Sequence, residues 1–311
     1  MKGIGTDIIE TEEQLRNLID YIVARHAPSL PRSPILYIDL EGVNLSREGT
    51  AAILTILIDI GMSERRVCLI DLLALGALAF QTAGAMQITL KDILQDERIS
   101  KVFFDVRNDS DALFAHFSVA LQGIEDVQLM ESAWRKTTVS RKFVNGLARC
   151  VENEIGGDEL ANWKLAKQRG ERLFKVEHGG SNTVFNDRPI AEDIVQYCSG
   201  DVQYLPDLRR KYYPQTHEGQ NLVGDETKKR VAASMKPEYQ PHGPQKVLAP
   251  WSQQQNITLD RLHSGDLRYD VDGSQDPDSW SDSPEDEWYD DGPTSCRDVI
   301  NDCDYEFYYS D

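Results

Sequence analysis

No Cys-x-x-Cys pair occurs among the five cysteines, Cys68, Cys150, Cys198, Cys296 and Cys303. That removes the common zinc spacings, and the odd, scattered set argues for a reducing compartment over a disulfide framework. No apolar run reaches the ~18 residues a membrane span requires. The N-terminal stretch MKGIGTDIIETEEQ carries no apolar segment behind its single lysine. These absences predict an intracellular protein, nuclear or cytoplasmic, that is neither secreted nor membrane-spanning. Positive charge is also scarce: 33 Lys and Arg face 52 Asp and Glu, a net of −19. Nucleic-acid binders usually show the opposite balance. The deficit is local, however. Residues 252–311 hold 17 acids against Arg261, Arg268 and Arg297, so −14 of the charge sits there and residues 1–251 carry −5.

What is present is the pattern of an α/β domain. In ETEEQLRNLIDYIVAR, Leu15, Leu18, Ile19 and Ile22 recur at helical spacing behind Thr11 and Gln14, a capping-box pair. ILYIDLEGV, AAILTILIDI and RRVCLIDLLAL then read as three strands of an antiparallel meander. TLKDILQDE is a short helix capped by Thr89, KVFFDV a fourth strand, SDALFAHFSVAL a helix, and IEDVQL a short fifth strand or strand-to-helix junction. From Ser132 to Arg172 the pattern is helical, with breaks expected at Gly156-Gly157 and Gly170. Pro189, immediately before IAEDIVQYCSGDVQYL, is expected in the first turn of that helix. The sheet is expected to be mixed and flanked by helices. Three regions follow: a domain over 1–213, a helical and Pro/Gly-rich extension over 214–251, and a disordered acidic tail over 252–311, where charge accumulates without apolar periodicity.

The strand ILYIDLEG ends in two carboxylates. Alternate residues share a face, so Asp39 and Glu41 project side by side while Leu40 points away. Either both fan into water at a glycine-terminated turn, or a divalent cation lies between them and cancels the repulsion. The second possibility needs further acids. Asp105, Asp109 and Asp111 cluster at a helix start, where N-capping would also explain them. Tyr197 and Asp201 stand i, i+4 on one helical face.

In chain order, these signals together with IDLEGVNLSREG, KVFFDVRNDSDALF, DVQLME, GLARC, HGGSNTVFNDRP and QYCSGDVQYLPDL resemble the ribonuclease D-like 3′-5′ exonucleases. These are the DEDD nucleases of the tyrosine subtype, and the wording is most similar to the eukaryotic exonuclease 3′-5′ domain-containing proteins. The resemblance covers about residues 5 to 213 and implies a ribonuclease H-like fold. It also implies two Mg²⁺ or Mn²⁺ ions, a pair that in such enzymes activates water and stabilises the leaving oxygen of a phosphodiester. Asp39, Glu41, Asp109 and Asp201 would hold the metals, and Tyr197 would orient the attacking water. Relatives usually place a His where this chain has Phe104, a position that is not a ligand.

Residues 134–176 hold ten basic side chains against five acids. Lys164, Lys167, Arg169 and Arg172 are the candidates for gripping single-stranded RNA or DNA, unless the run is merely a solvated helical face. Two functions remain open at this level. One is hydrolysis of nucleic acid from 3′ ends. The other is a weak or inactive nucleic-acid-binding adaptor on the same fold. The acidic tail is a candidate docking segment for a protein partner.

Overall fold

The apolar runs are long and β-branched, and they build a sheet buried on both faces. The computed structural model describes residues 5–26, 35–59 and 65–264. Its strands are β1 (Thr6–Ile9), β2 (Ile35–Glu41), β3 (Ile53–Asp59), β4 (Arg65–Asp71), β5 (Lys101–Phe103) and β6 (Ile124–Asp126). They form one mixed sheet in the order β1-β4-β3-β2-β5-β6. The antiparallel meander β2–β3–β4 is its centre, with β1 and β5 added parallel at either side and β6 parallel to β5.

The helices are α1 (Glu12–Arg25), α2 (Leu72–Leu75), α3 (Leu78–Gln81), α4 (Leu90–Gln95), α5 (Arg107–Phe117) and α6 (Val127–Trp134). They continue with α7 (Leu147–Glu152), α8 (Gly157–Phe174), α9 (Glu192–Gln203), α10 (Leu205–Tyr212), α11 (His217–Ser234) and α12 (Gln253–Ser264). Strand alternation divides the core in two. Leu36, Ile38 and Leu40 of β2 pack with Leu15, Leu18, Ile19 and Ile22 of α1 on one face. Tyr37 of β2 and Leu57 of β3 pack with Ile194, Val195 and Cys198 of α9 on the other. The same alternation turns Asp39 and Glu41 toward α9. The α1 cap forms as its sequence implies: the Thr11 hydroxyl accepts the Gln14 N–H and Gln14 accepts the Thr11 N–H at 3.0 Å.

Several local expectations change. β1 is a four-residue strand with no periodicity of its own, recruited by parallel pairing to β4. Gly170 does not break a helix; it lies inside α8, where a close helix contact requires it. Pro189 lies in the loop before α9, which begins at Glu192. α11 starts at His217 and docks on α5, α6 and β6. It is anchored by Arg230, whose guanidinium donates to Asp126 at 2.8 Å. The expectation of disorder from residue 252 is corrected for its first part, because α12 is helical and buries Leu259. Asp260 and Asn256 of that helix also bind the buried Arg141. The rest of the acidic tail, and any partner it binds, lies outside the described residues.

Candidate active site

β2 delivers Asp39 and Glu41 to the edge of a cleft of about 910 Å³, and α9 delivers Asp201 from the facing wall. Carboxylate oxygens of these three residues all lie within 4.8 Å of one another. Three hard oxygen donors at that separation suit a divalent cation such as Mg²⁺ or Mn²⁺. Behind them lies the Cys198 thiol, held well above its usual pKa by burial and by Glu41, Asp39 and Asp201.

Asp109 is not in that cluster. It sits in the first turn of α5, and its carboxylate accepts the Leu40 N–H at 3.0 Å. Burial, reinforced by the neighbouring Asp105 and Asp126, pushes its pKa up to about 7. It nevertheless borders the same cleft. Its two acidic neighbours are committed elsewhere. Asp111 is fully buried and accepts both the N–H and the guanidinium of Arg47 at 2.7 Å. Asp105 has a left-handed backbone (φ 60°). Burial opposes its ionisation, but Arg107 and Arg230 outweigh that and hold its pKa well below the usual carboxylate range.

Tyr197 is buried one turn before Asp201 on α9. Its ring meets Phe174 edge-on at 5.2 Å. A Cβ at Gly170 would lie 2.5 Å from the Tyr197 Cβ, so only glycine allows α8 this close. The Trp163 indole N–H, donating to the Gly200 carbonyl at 3.2 Å, fixes the same helix pair.

Of the expected substrate contacts, Lys164 and Lys167 line the cleft, whereas Arg169 and Arg172 are not among its lining residues. Arg169 instead pairs with Asp193 at 3.5 Å. The cleft face of α8 runs through Lys164, Lys167, Gln168 and Glu171, with Lys175 just past its end. Lys175 is thus a site residue that a helical-wheel placement of the basic run would have found. Asn182 donates to Asn44 at 3.2 Å and so ties the loop after β2 to the facing wall. His242 enters the cleft from the segment after α11, and nothing local in the sequence signals that.

The family model described as 3′-5′ exonuclease matches residues 6–216, and the chain belongs to that family. It is 29% identical over 205 residues to piRNA biogenesis protein EXD1 of Mus musculus, covering 64% of this chain and 33% of that protein. Against the Homo sapiens protein of the same name it is 30% identical over 181 residues, covering 58% and 32% respectively. The chain thus spans about a third of the length of these relatives. Among solved structures it is similar to Trypanosoma brucei RNase D bound to GMP, with TM-score 0.61, 19% identity and coverage of 83% of this chain and 72% of that one. The same enzyme in complex with RNA U12 matches at TM-score 0.60 and 18% identity, covering 83% and 79%. Both share the ribonuclease D fold. Among the described residues, no helix is long and apolar enough to cross a membrane.

Proposed function

We propose that the protein is a metal-dependent 3′-5′ exonuclease that hydrolyses phosphodiester bonds at the 3′ ends of single-stranded nucleic acid. The observation that carries this reading is the convergence of Asp39, Glu41 and Asp201 within 4.8 Å in an open cleft. The cleft is lined by seven acids and three lysines, a balance that repels a phosphate backbone unless cations are bound with it. Asp39, Glu41 and Asp201 would hold Mg²⁺ or Mn²⁺, with Asp109 contributing to a second ion. Two such ions supply an activated water and stabilise the departing 3′ oxygen.

The chain's own residues do the rest. Tyr197, locked by Gly170 and Phe174, would orient the attacking water through its hydroxyl. Lys164, Lys167 and Lys175 line one wall and would neutralise phosphates of the incoming strand. Phe104 and Phe185 add apolar surface against which a terminal base can pack. The resemblance to an RNase D structure with RNA bound supports RNA as the first substrate to try.

A second reading is an adaptor that grips nucleic acid without cutting it. It is favoured by relatives whose name refers to piRNA biogenesis and not to cleavage. Oligonucleotides labelled at the 5′ end, of RNA and of DNA, separate the two when incubated with Mg²⁺, Mn²⁺ or EDTA. The exonuclease reading predicts a ladder shortening from the 3′ end that EDTA abolishes. Tight binding with intact oligonucleotide in both metals is the result the adaptor predicts.

A further inference from the structure

The Lys167 ammonium lies 3.0 Å from Oδ1 of Asp201, the carboxylate that the cluster would offer to a divalent ion. It also sits 4.9 Å from the Tyr197 ring centroid and 5.7 Å from that of Trp163. The pair is well shielded, with side-chain exposures of 18% for Lys167 and 8% for Asp201. Its setting is stiff, because Gly170 and the Trp163–Gly200 hydrogen bond clamp α8 onto α9. The other cleft lysine on α8 differs: Lys164 pairs with Glu152 and its side chain is 50% exposed.

We propose that Lys167 is an exchangeable counter-cation built into the site. In metal-free protein it balances Asp201 and the two acids beside it and steadies the Tyr197–Asp201 face of α9. When a divalent ion takes Asp201, two cations cannot share that carboxylate at close range without strong repulsion. Lys167 must then give it up, and its flexible stem leaves the ammonium in the cleft as a donor for the substrate's phosphates. Lys167 is thus a substrate-binding residue whose release is coupled to metal binding, and through it metal and nucleic acid bind cooperatively. This inference rests on the exonuclease reading of the same carboxylates.

The test is calorimetric titration of the full chain with Mn²⁺, together with thermal melts in EDTA and in Mn²⁺. Lys167→Met should bind Mn²⁺ more tightly than wild type, by about tenfold or more, and melt lower in EDTA. It should also bind an oligonucleotide more weakly in the presence of Mn²⁺. Lys164→Met should leave Mn²⁺ affinity close to wild type. Should the Met variant fail to fold, Lys167→Gln removes the charge while keeping a donor, and the same tightening is expected. A lysine that only braces α9 predicts unchanged or weaker metal binding when removed, and no weakening of oligonucleotide binding in Mn²⁺. Unchanged or weaker Mn²⁺ affinity in the Lys167 variants overturns the proposal, as does equal tightening by Lys164→Met. Absence of Mn²⁺ binding in wild type and Lys167 variants alike would overturn the metal reading itself. Loss of binding in Asp201→Asn alone shows that reading intact.

Discussion

Asp109 and Asp111 sit two residues apart at the start of α5, and the fold treats them oppositely. Asp109 is held against the Leu40 amide with its pKa raised by burial. A neutral amide there keeps the acceptor, so Asp109→Asn should fold with wild-type stability or slightly better while losing turnover. Asp111 is a buried partner of Arg47, whose guanidinium also donates to the Ser234 carbonyl at 2.8 Å. Asp111→Asn should therefore cost roughly 3 kcal/mol of stability and leave activity per folded molecule largely intact. Urea denaturation and turnover on one labelled oligonucleotide measure both effects. The opposite pattern would mean that Asp111, and not Asp109, is the metal-holding acid of α5.

Lys101 gives a pH test at the same scale. It is fully buried and donates to the Ile93 carbonyl at 3.2 Å and the Asp96 carbonyl at 2.6 Å. Burial lowers its pKa to about 8. Between that value and the unfolded value of about 10.4 the unfolded chain binds more protons, so Lys101 makes stability rise with pH across this window. Cys68, pushed up to about 12 by burial, acts the other way, because its unfolded thiol ionises first. The wild-type slope is therefore read against Lys101→Met. Relative to that variant, wild type should gain on the order of 2–3 kcal/mol from pH 8 to 10, measured by urea denaturation at each pH.

Elements differ in how far the sequence alone reveals them. The α1 cap, the meander and the projection of Asp39 and Glu41 depend on local periodicity, and all are legible. The Tyr197–Asp201 pairing on α9 is legible for the same reason, since i, i+4 spacing needs no knowledge of the rest of the chain. Gly170 is misleading because a glycine inside a helix reads as a break until its partner is known. Here the partner is Tyr197, far along the chain. Gly170→Ala would place a methyl against the Tyr197 ring, 2.9 Å from Cδ2. Forcing α8 and α9 apart should cost about 1–3 kcal/mol and displace Tyr197. Thermal melts should show the stability loss, and turnover should fall further than the unfolded fraction explains. Arg169 and Arg172 show the same limit: charge counts along a helix do not say which face meets the cleft, and neither side chain lines it.

At the scale of the molecule, the folded unit reaches past the 3′-5′ exonuclease segment of residues 6–216. α11 and the segment after it bring His242 to the cleft wall and Arg230 to Asp126. Trp251 donates to the Ser132 hydroxyl at 2.9 Å, and α12 covers Arg141. None of this is visible as periodicity, because these contacts join positions more than a hundred residues apart. A chain ending at Trp251 should be less stable than one ending at Ser264, by roughly 2 kcal/mol from Leu259 alone. Melting of the two truncations side by side checks this.

On the proposed function, the Asp39–Glu41–Asp201 cluster cuts nucleic acid from the 3′ end with divalent metal. Its most direct test is the release of 3′-terminal mononucleotides from a single-stranded oligonucleotide by wild type and by Asp39→Asn, in Mg²⁺ and in Mn²⁺, with melting curves establishing that both are folded. A metal-dependent exonuclease releases nucleotides stepwise as wild type and not at all as the folded variant, which still binds the strand. Release by Asp39→Asn at a rate within about tenfold of wild type, a difference of only ~1.4 kcal/mol in the barrier, would contradict it.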